Sequence, residues 1–262
     1  MEDAAGGGTA GVGSALNAER ASGLSEPLAL TEAAAWQQTE ADRARYYLAK
    51  RLTDVLVAAF ALVLVAPFLA LVAIAIKVDS AGPVLFRQRR VGSRRRRVNG
   101  QVLWEPREFT FYKFRSMVRD ADSSLHEEHV RAFVTGAIEA AGGHSQFKLA
   151  NDPRITRVGY WLRQLSIDEL PELLNVVRGD MSLVGPRPLP TYEVMHHDAS
   201  HCARLAAPSG ITGLWQIKGR ADIPFDAMID LDLEYVRNQS VWLDLKIVAL
   251  TVPAVLSRRG AG

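Results

Sequence analysis

Asp168 and Glu169 are adjacent carboxylates in "QLSIDELPELLNVVRGDMSLVGPRP", which closes on a Gly-Pro-Arg-Pro turn around Arg187. Acids next to a fixed arginine can serve as a nucleophile, as a ligand for a hard cation, or as one half of a charge-stabilising site. They can also be ordinary helix decoration. Ser166 and Glu169 have the S-x-x-E spacing of a capping box, and a helix start favours negative charge. Leu170, Leu173, Leu174 and Val177 then supply a buried stripe by three- and four-residue spacing.

Further cations tilt the balance toward chemistry. Lys113 and Arg115 in "REFTFYKFRSM" sit two apart, so a strand would project both from one face. Arg163 precedes the acid pair closely, and "PSGITGLWQIKGR" adds Gln216 and Arg220 on a Gly-rich segment. Arginine forks, a lysine and a carboxylate suit a metal-bridged diphosphate, with the carboxylate on Mg²⁺. Other combinations are weaker. "HEEH" at His126 to His129 lacks the four-residue interval of a zinc helix, and "HHDASH" at His196 to His201 has no accompanying ligand pattern. No Walker A loop, GxGxxG or G-x-S-x-G motif is present.

The elements that must position these residues begin with an apolar run. From Val55 to Ile76, "VLVAAFALVLVAPFLALVAIAI" carries no charge and is long enough for a membrane helix of about 20 residues. Basic residues stand on both sides: Arg43, Arg45, Lys50 and Arg51 before it, Arg87, Arg89, Arg90 and Arg94 to Arg97 after it. A simple span would strand one basic flank outside, whereas a hairpin keeps both on the cytoplasmic face. Pro67, near the middle, removes a backbone donor and clashes with the Val63 carbonyl, so the expectation is a helix-break-helix that enters and leaves by one side. A single kinked span is the alternative. "VWLDLKIVALTVPAVLSRR" (Val241 to Arg259), with Trp242, suits the membrane interface or a surface helix.

Asn99-Gly100 between alternating segments signals a small β-hairpin. The expected fold is therefore α+β and mostly helical. Residues 1–30 read as a flexible extension, 31–50 as a lead-in helix capped by Thr31, 51–77 as the re-entrant membrane helix, and 78–262 as a cytosolic or interfacial domain. Cys202 is the only cysteine, which excludes an intrachain disulfide. The net charge of +2 and the membrane segment argue against a nucleic-acid partner, although the arginine run also suits a non-catalytic scaffold on anionic lipid.

Taken together, "KRLTDVL", "YKFRSM", "NDPRITRVGYWLRQLSIDELPELLNVVRGDMSLVGPRP", "GITGLWQIKGR" and "LDLEYVRNQSVWLDLKIVALTVPAVL" resemble the bacterial sugar transferases, the monotopic phosphoglycosyl transferases. The resemblance runs from Lys50 nearly to the C-terminus. It implies transfer of a sugar-1-phosphate from a UDP-sugar to polyprenyl phosphate with release of UMP, at the cytoplasmic face of the bacterial inner membrane. It further implies Asp168 as the nucleophile of a covalent phospho-sugar intermediate and Glu169 as the Mg²⁺ ligand. Lys113, Arg115, Arg163 and Arg187 match basic positions of the family motifs. Homo-oligomerisation is left open. Two departures stand out: "SRRRRVNGQVLWEPRE" (Ser93 to Glu108) is expected to be an unusually long loop, and Asp120 to Gly143 is extended. Ala66 precedes Pro67, where the family often has Ser, and the four N-terminal membrane helices of larger relatives are expected to be missing.

Overall fold

A computed structural model describes residues 43–98, 101–122, 124–135, 137–140, 152–194, 199–219 and 223–256. The expected N-terminal extension, most of the lead-in helix with its Thr31 cap, and the Asn99-Gly100 turn lie outside the described residues.

Helix α1 (Ala44–Asp79) joins the end of the lead-in segment and the whole apolar run in one element of 36 residues, about 50 Å long. It differs from the expected helix-break-helix, because the helix continues through Pro67. Pro67 and Val63, whose carbonyl loses its partner, are both on the exposed side, so the lost bond does not disturb the packed face. That packed face is a stripe at helical spacing. Near one end, Ala58, Ala61 and Leu62 meet Phe109, Phe111, Leu173 and Val176. Toward the other, Leu69, Val72 and Ile76 meet Phe114 and Leu162. Both ends therefore rest on the same body. The opposite face leaves Leu56, Phe60, Val63, Leu71, Ile74 and Val78 exposed, a continuous apolar surface that a water-soluble domain rarely keeps.

The β-hairpin is longer than its turn signal alone implied. β1 (Leu85–Val98) pairs antiparallel with β2 (Gln101–Phe114), and the ladder runs from Leu85↔Phe114 to Val98↔Gln101. Within the segment Ser93 to Glu108, expected as a loop, residues 93–98 and 101–108 are thus paired strand. Its far half is held down because Trp104 is buried, with its ring 5.4 Å from that of Tyr47 on α1.

After the hairpin come α2 (Ser124–Val134), α3 (Arg157–Gln164), a single 3-10 turn (Ile167–Glu169) and α4 (Glu172–Arg178). Thr156 caps α3 by accepting from the Gly159 amide, and Gly179 ends α4 in the left-handed region. Strand β3 (Ser182–Val184) pairs parallel with β5 (Gly210–Thr212), while the short β4 (Leu189–Pro190) joins the edge of β1. Helices α5 (Leu214–Lys218), α6 (Phe225–Asn238) and α7 (Val241–Leu256) complete the described chain. On α7, Leu243 and Ile247 pack inward while Trp242 is 82% exposed beside exposed Leu245 and Val252. The described architecture is mostly helical with a small sheet, and α1 is long and apolar enough to cross a membrane.

Candidate active site

The acid pair is not presented by a capping box. Ser166 takes a left-handed conformation, φ 53°, and its side chain makes no cap; Glu169 instead donates its amide to the Ser166 carbonyl at 3.3 Å. A non-glycine residue there is strained. The reversal ends α3 and starts the 3-10 turn, while α4 begins only after Pro171. The chain turns sharply enough to set Asp168 and Glu169 beside the end of β2.

Lys113 of β2 is the centre of the cluster. Its Nζ lies 2.8 Å from Glu169 Oε1, 3.7 Å from Asp168 Oδ2 and 3.6 Å from Glu172 Oε1. Arg187 reaches in from the Gly-Pro-Arg-Pro turn, with Nη2 2.6 Å from Glu169 Oε1 and 3.8 Å from Glu172 Oε1. That turn is pinned to β5: the Gly210 amide donates to the Pro186 carbonyl and the Gly185 amide to the Thr212 carbonyl, each at 2.9 Å. A Cβ on Gly185 would collide with the Pro208 carbonyl, so only glycine admits this approach. Arg204, paired with buried Asp232 at 2.5 Å, donates to the Arg187 carbonyl.

Glu172 escaped the sequence reading. It is fully buried, and among the described residues neither carboxylate oxygen accepts a hydrogen bond. Burial, reinforced by the neighbouring Glu169 charge, raises its pKa to about 8. Burial alone would lower the Arg187 pKa, yet the charges of Glu169 and Glu172 outweigh it and raise it. The "DELPE" spacing, four residues from Asp168 and three from Glu169, was the signal that could have found Glu172.

The other expected residues divide. Arg163 lines the same cavity, and its Nη1 is buried without a hydrogen-bond partner among the described residues. Gln216 also lines it; its amide nitrogen donates to the Ile211 carbonyl, leaving Oε1 buried and unmatched among the described residues. Arg115 borders the cavity, but its guanidinium closes the end of α1 by donating to the carbonyls of Ala81 at 2.6 Å and Ser80 at 2.7 Å. Lys113 and Arg115 thus have different partners despite their spacing. Arg220 lies outside the described residues. Pro67 and Trp242 are on exposed apolar faces, away from the charged cluster. The basic run is partly neutralised: Arg89 pairs with Glu108 and Arg96 with Glu105, and Arg95 lies over the Tyr47 ring at 4.8 Å.

The acid pair and its cations open on a cavity of about 1370 Å³. Asp168, Glu169, Lys113, Arg163 and Arg187 form part of its wall, and Thr251, Ala254 and Val255 of α7 form another. Two carboxylates, Asp168 and Glu169, stand in this wall beside the cations Lys113, Arg163 and Arg187. Among the described residues no group of three side chains is close enough to hold a metal by itself, but Mg²⁺ commonly takes one or two carboxylates and fills its shell with water and phosphate. The donor set fits such an ion.

A cavity lined by charged groups lies in the same body as one long apolar helix that is compatible with a membrane. The profile of the family described as bacterial sugar transferase matches residues 45–258, and the chain belongs to that family. It is 41% identical over 225 residues to the exopolysaccharide production protein ExoY of Rhizobium meliloti, covering 86% of this chain and 93% of that protein. It is 37% identical over 225 residues to an undecaprenyl-phosphate galactose phosphotransferase of Salmonella typhimurium, covering 86% of this chain and 44% of the longer relative. An undecaprenyl-phosphate glucose phosphotransferase of Komagataeibacter xylinus is 41% identical over 225 residues, with 82% and 37% covered.

Proposed function

We propose that this protein transfers a sugar-1-phosphate from a UDP-sugar to polyprenyl phosphate. A carboxylate oxygen of Asp168 attacks the phosphorus bearing the sugar. The new Asp168 O–P bond replaces the bond to the bridging oxygen, which departs with its electron pair as UMP. A phosphate oxygen of the polyprenyl carrier then attacks the same phosphorus, releasing Asp168 and forming polyprenyl-diphosphate-sugar. Splitting the transfer through a covalent intermediate replaces one hard step with two easier ones.

The observation that carries this reading is the convergence of Asp168, Glu169 and Glu172 on Lys113 and Arg187 at a cavity walled by α7. Lys113, Arg187 and Arg163 stabilise charge as it develops on the diphosphate. Glu169 would hold Mg²⁺, which when bound offsets phosphate charge. We further infer that α1 and the outer face of α7 sit in the cytoplasmic leaflet of the bacterial inner membrane from one side, the place where a lipid phosphate is met. The two-ended packing of α1 on one body supports this, as do Arg51 and Lys50, which hold the Val176 carbonyl and Asp244 of that body. A lipid scaffold without catalysis would have no use for a buried Asp168 beside a half-buried Glu169 in a cavity wall.

The test is UMP release by purified protein with Mg²⁺ and a panel of UDP-sugars, with and without polyprenyl phosphate, beside Asp168→Ala. Donor-specific release that needs the wild-type carboxylate supports the reaction, as does a phospho-sugar adduct on Asp168 seen by mass spectrometry. Undiminished release by Asp168→Ala would sink the nucleophile assignment.

A further inference from the structure

The same cavity also has a stretch of wall that the transfer as described leaves unused. His126 of α2 and Tyr192 line it, meeting edge to face with ring centroids 6.2 Å apart. Tyr192 is fixed by a side-chain hydrogen bond with Gln88. Burial holds the His126 imidazole below the ordinary histidine range, so it presents a neutral ring. Arg90 lines the same cavity. Its guanidinium lies 4.0 Å over the Phe111 ring and donates to the Pro188 carbonyl at 3.1 Å, while its charge is felt by Arg187 and Glu172 on one side and by Tyr192 on the other.

In-line displacement places the attacking and leaving oxygens on opposite sides of the phosphorus. With Asp168 attacking, the departing nucleotide must lie away from it. On the α7 wall Ala254 and Val255 are apolar and the Thr251 hydroxyl is already bonded to Thr212 and the Ile247 carbonyl, so this wall offers little to the polar edge of a base. His126 and Tyr192 supply aromatic faces to the cavity, on which bases stack regardless of sequence context.

We propose that His126 and Tyr192 form the nucleobase subsite for the nucleoside diphosphate donor. This rests on the proposed use of such a donor, and it assigns specificity for the nucleotide half to α2 and the segment after β4.

The experiment measures binding of UMP and of inorganic pyrophosphate, each with Mg²⁺, to the intact detergent-solubilised protein by calorimetry. Wild type is compared with Tyr192→Leu, Tyr192→Phe and His126→Ala. Tyr192→Leu is expected to weaken UMP by about tenfold or more, in the range for losing one base–aromatic stack. Tyr192→Phe, which keeps the ring, should stay within about twofold. Pyrophosphate affinity should be unchanged in all variants. Unchanged UMP affinity in both Tyr192→Leu and His126→Ala overturns the subsite, and so does a parallel loss of pyrophosphate, which would mean general damage to the cavity. Failure of the transferase reading looks different: no UDP-sugar is turned over by wild type, while UMP still binds and is selectively lost in the variants.

Discussion

Two buried charged clusters in this protein have opposite characters. At the start of α1, Lys50 and Asp244 pair at 3.0 Å, and Asp244 also accepts from Tyr46 at 3.0 Å and from Tyr235 at 2.8 Å. Nearby, Asp54 accepts from the Leu183 amide at 3.0 Å. Each carboxylate oxygen of Asp244 has a donor, and the cluster ties α1 to α7 and β3. Around Lys113 the balance is different: three carboxylates share two cations, and Glu172 has no hydrogen-bond donor among the described residues. A satisfied network fixes structure, whereas a buried carboxyl without a donor and with a raised pKa, held among charged groups at a cavity, is the kind of arrangement found where a ligand binds or reacts.

Substitutions can break or sharpen that contrast. The largest effect is expected from Asp168→Ala, which should lower turnover by more than about 10³-fold while leaving the thermal unfolding midpoint essentially unchanged. Asp244→Ala should do the reverse. Leaving Lys50 buried without its partner is expected to cost about 3–5 kcal/mol in denaturant unfolding, with activity per folded molecule retained. If both variants lost stability equally, the distinction between the clusters would collapse. Glu172→Gln sharpens it through pH. A carboxyl whose folded pKa is raised to about 8 contributes stability that is fully present below its unfolded value and is lost as pH rises through the folded one. Wild type should therefore lose stability relative to Glu172→Gln between about pH 4.5 and pH 8, by an amount on the order of a few kcal/mol. The smallest effect belongs to Arg96→Ala on the hairpin, whose half-exposed pair with Glu105 should be worth under about 1 kcal/mol in the same unfolding assay.

Much of the site was legible because residue type and spacing carry chemistry. Asp168, Glu169, Lys113, Arg163, Arg187 and Gln216 share one cavity. The sequence could not foresee how the acid pair is held, since S-x-x-E fits a capping box as well as it fits the left-handed Ser166 that replaced it. Arg115 matched a phosphate-facing strand pattern, yet the open carbonyls after α1 claimed it, a contact set by tertiary packing. His126 and Tyr192 have no local signature for a site because they are far apart in sequence, and the only local cue to Glu172 is its spacing from Asp168 and Glu169. In the fold, Pro67 predicted an interruption that α1 does not show, because the lost bond falls on a face without neighbours. The arginine run hid a strand whose pairing depends on Glu105, Glu108 and Trp104 across the hairpin.

The satisfied anchor at Lys50 also bears on synthesis. Lys50 is separated from Asp244 by 194 residues, so translation at about 5–20 residues per second leaves roughly 10–40 s between them. During that interval α1 has left the ribosome tunnel while the carboxylate that will neutralise its lysine does not yet exist. Contacts with Phe111, Leu173 and Val176 can form earlier, so this tie closes late on a helix already partly docked, and until then the lysine that α1 will bury must stay hydrated.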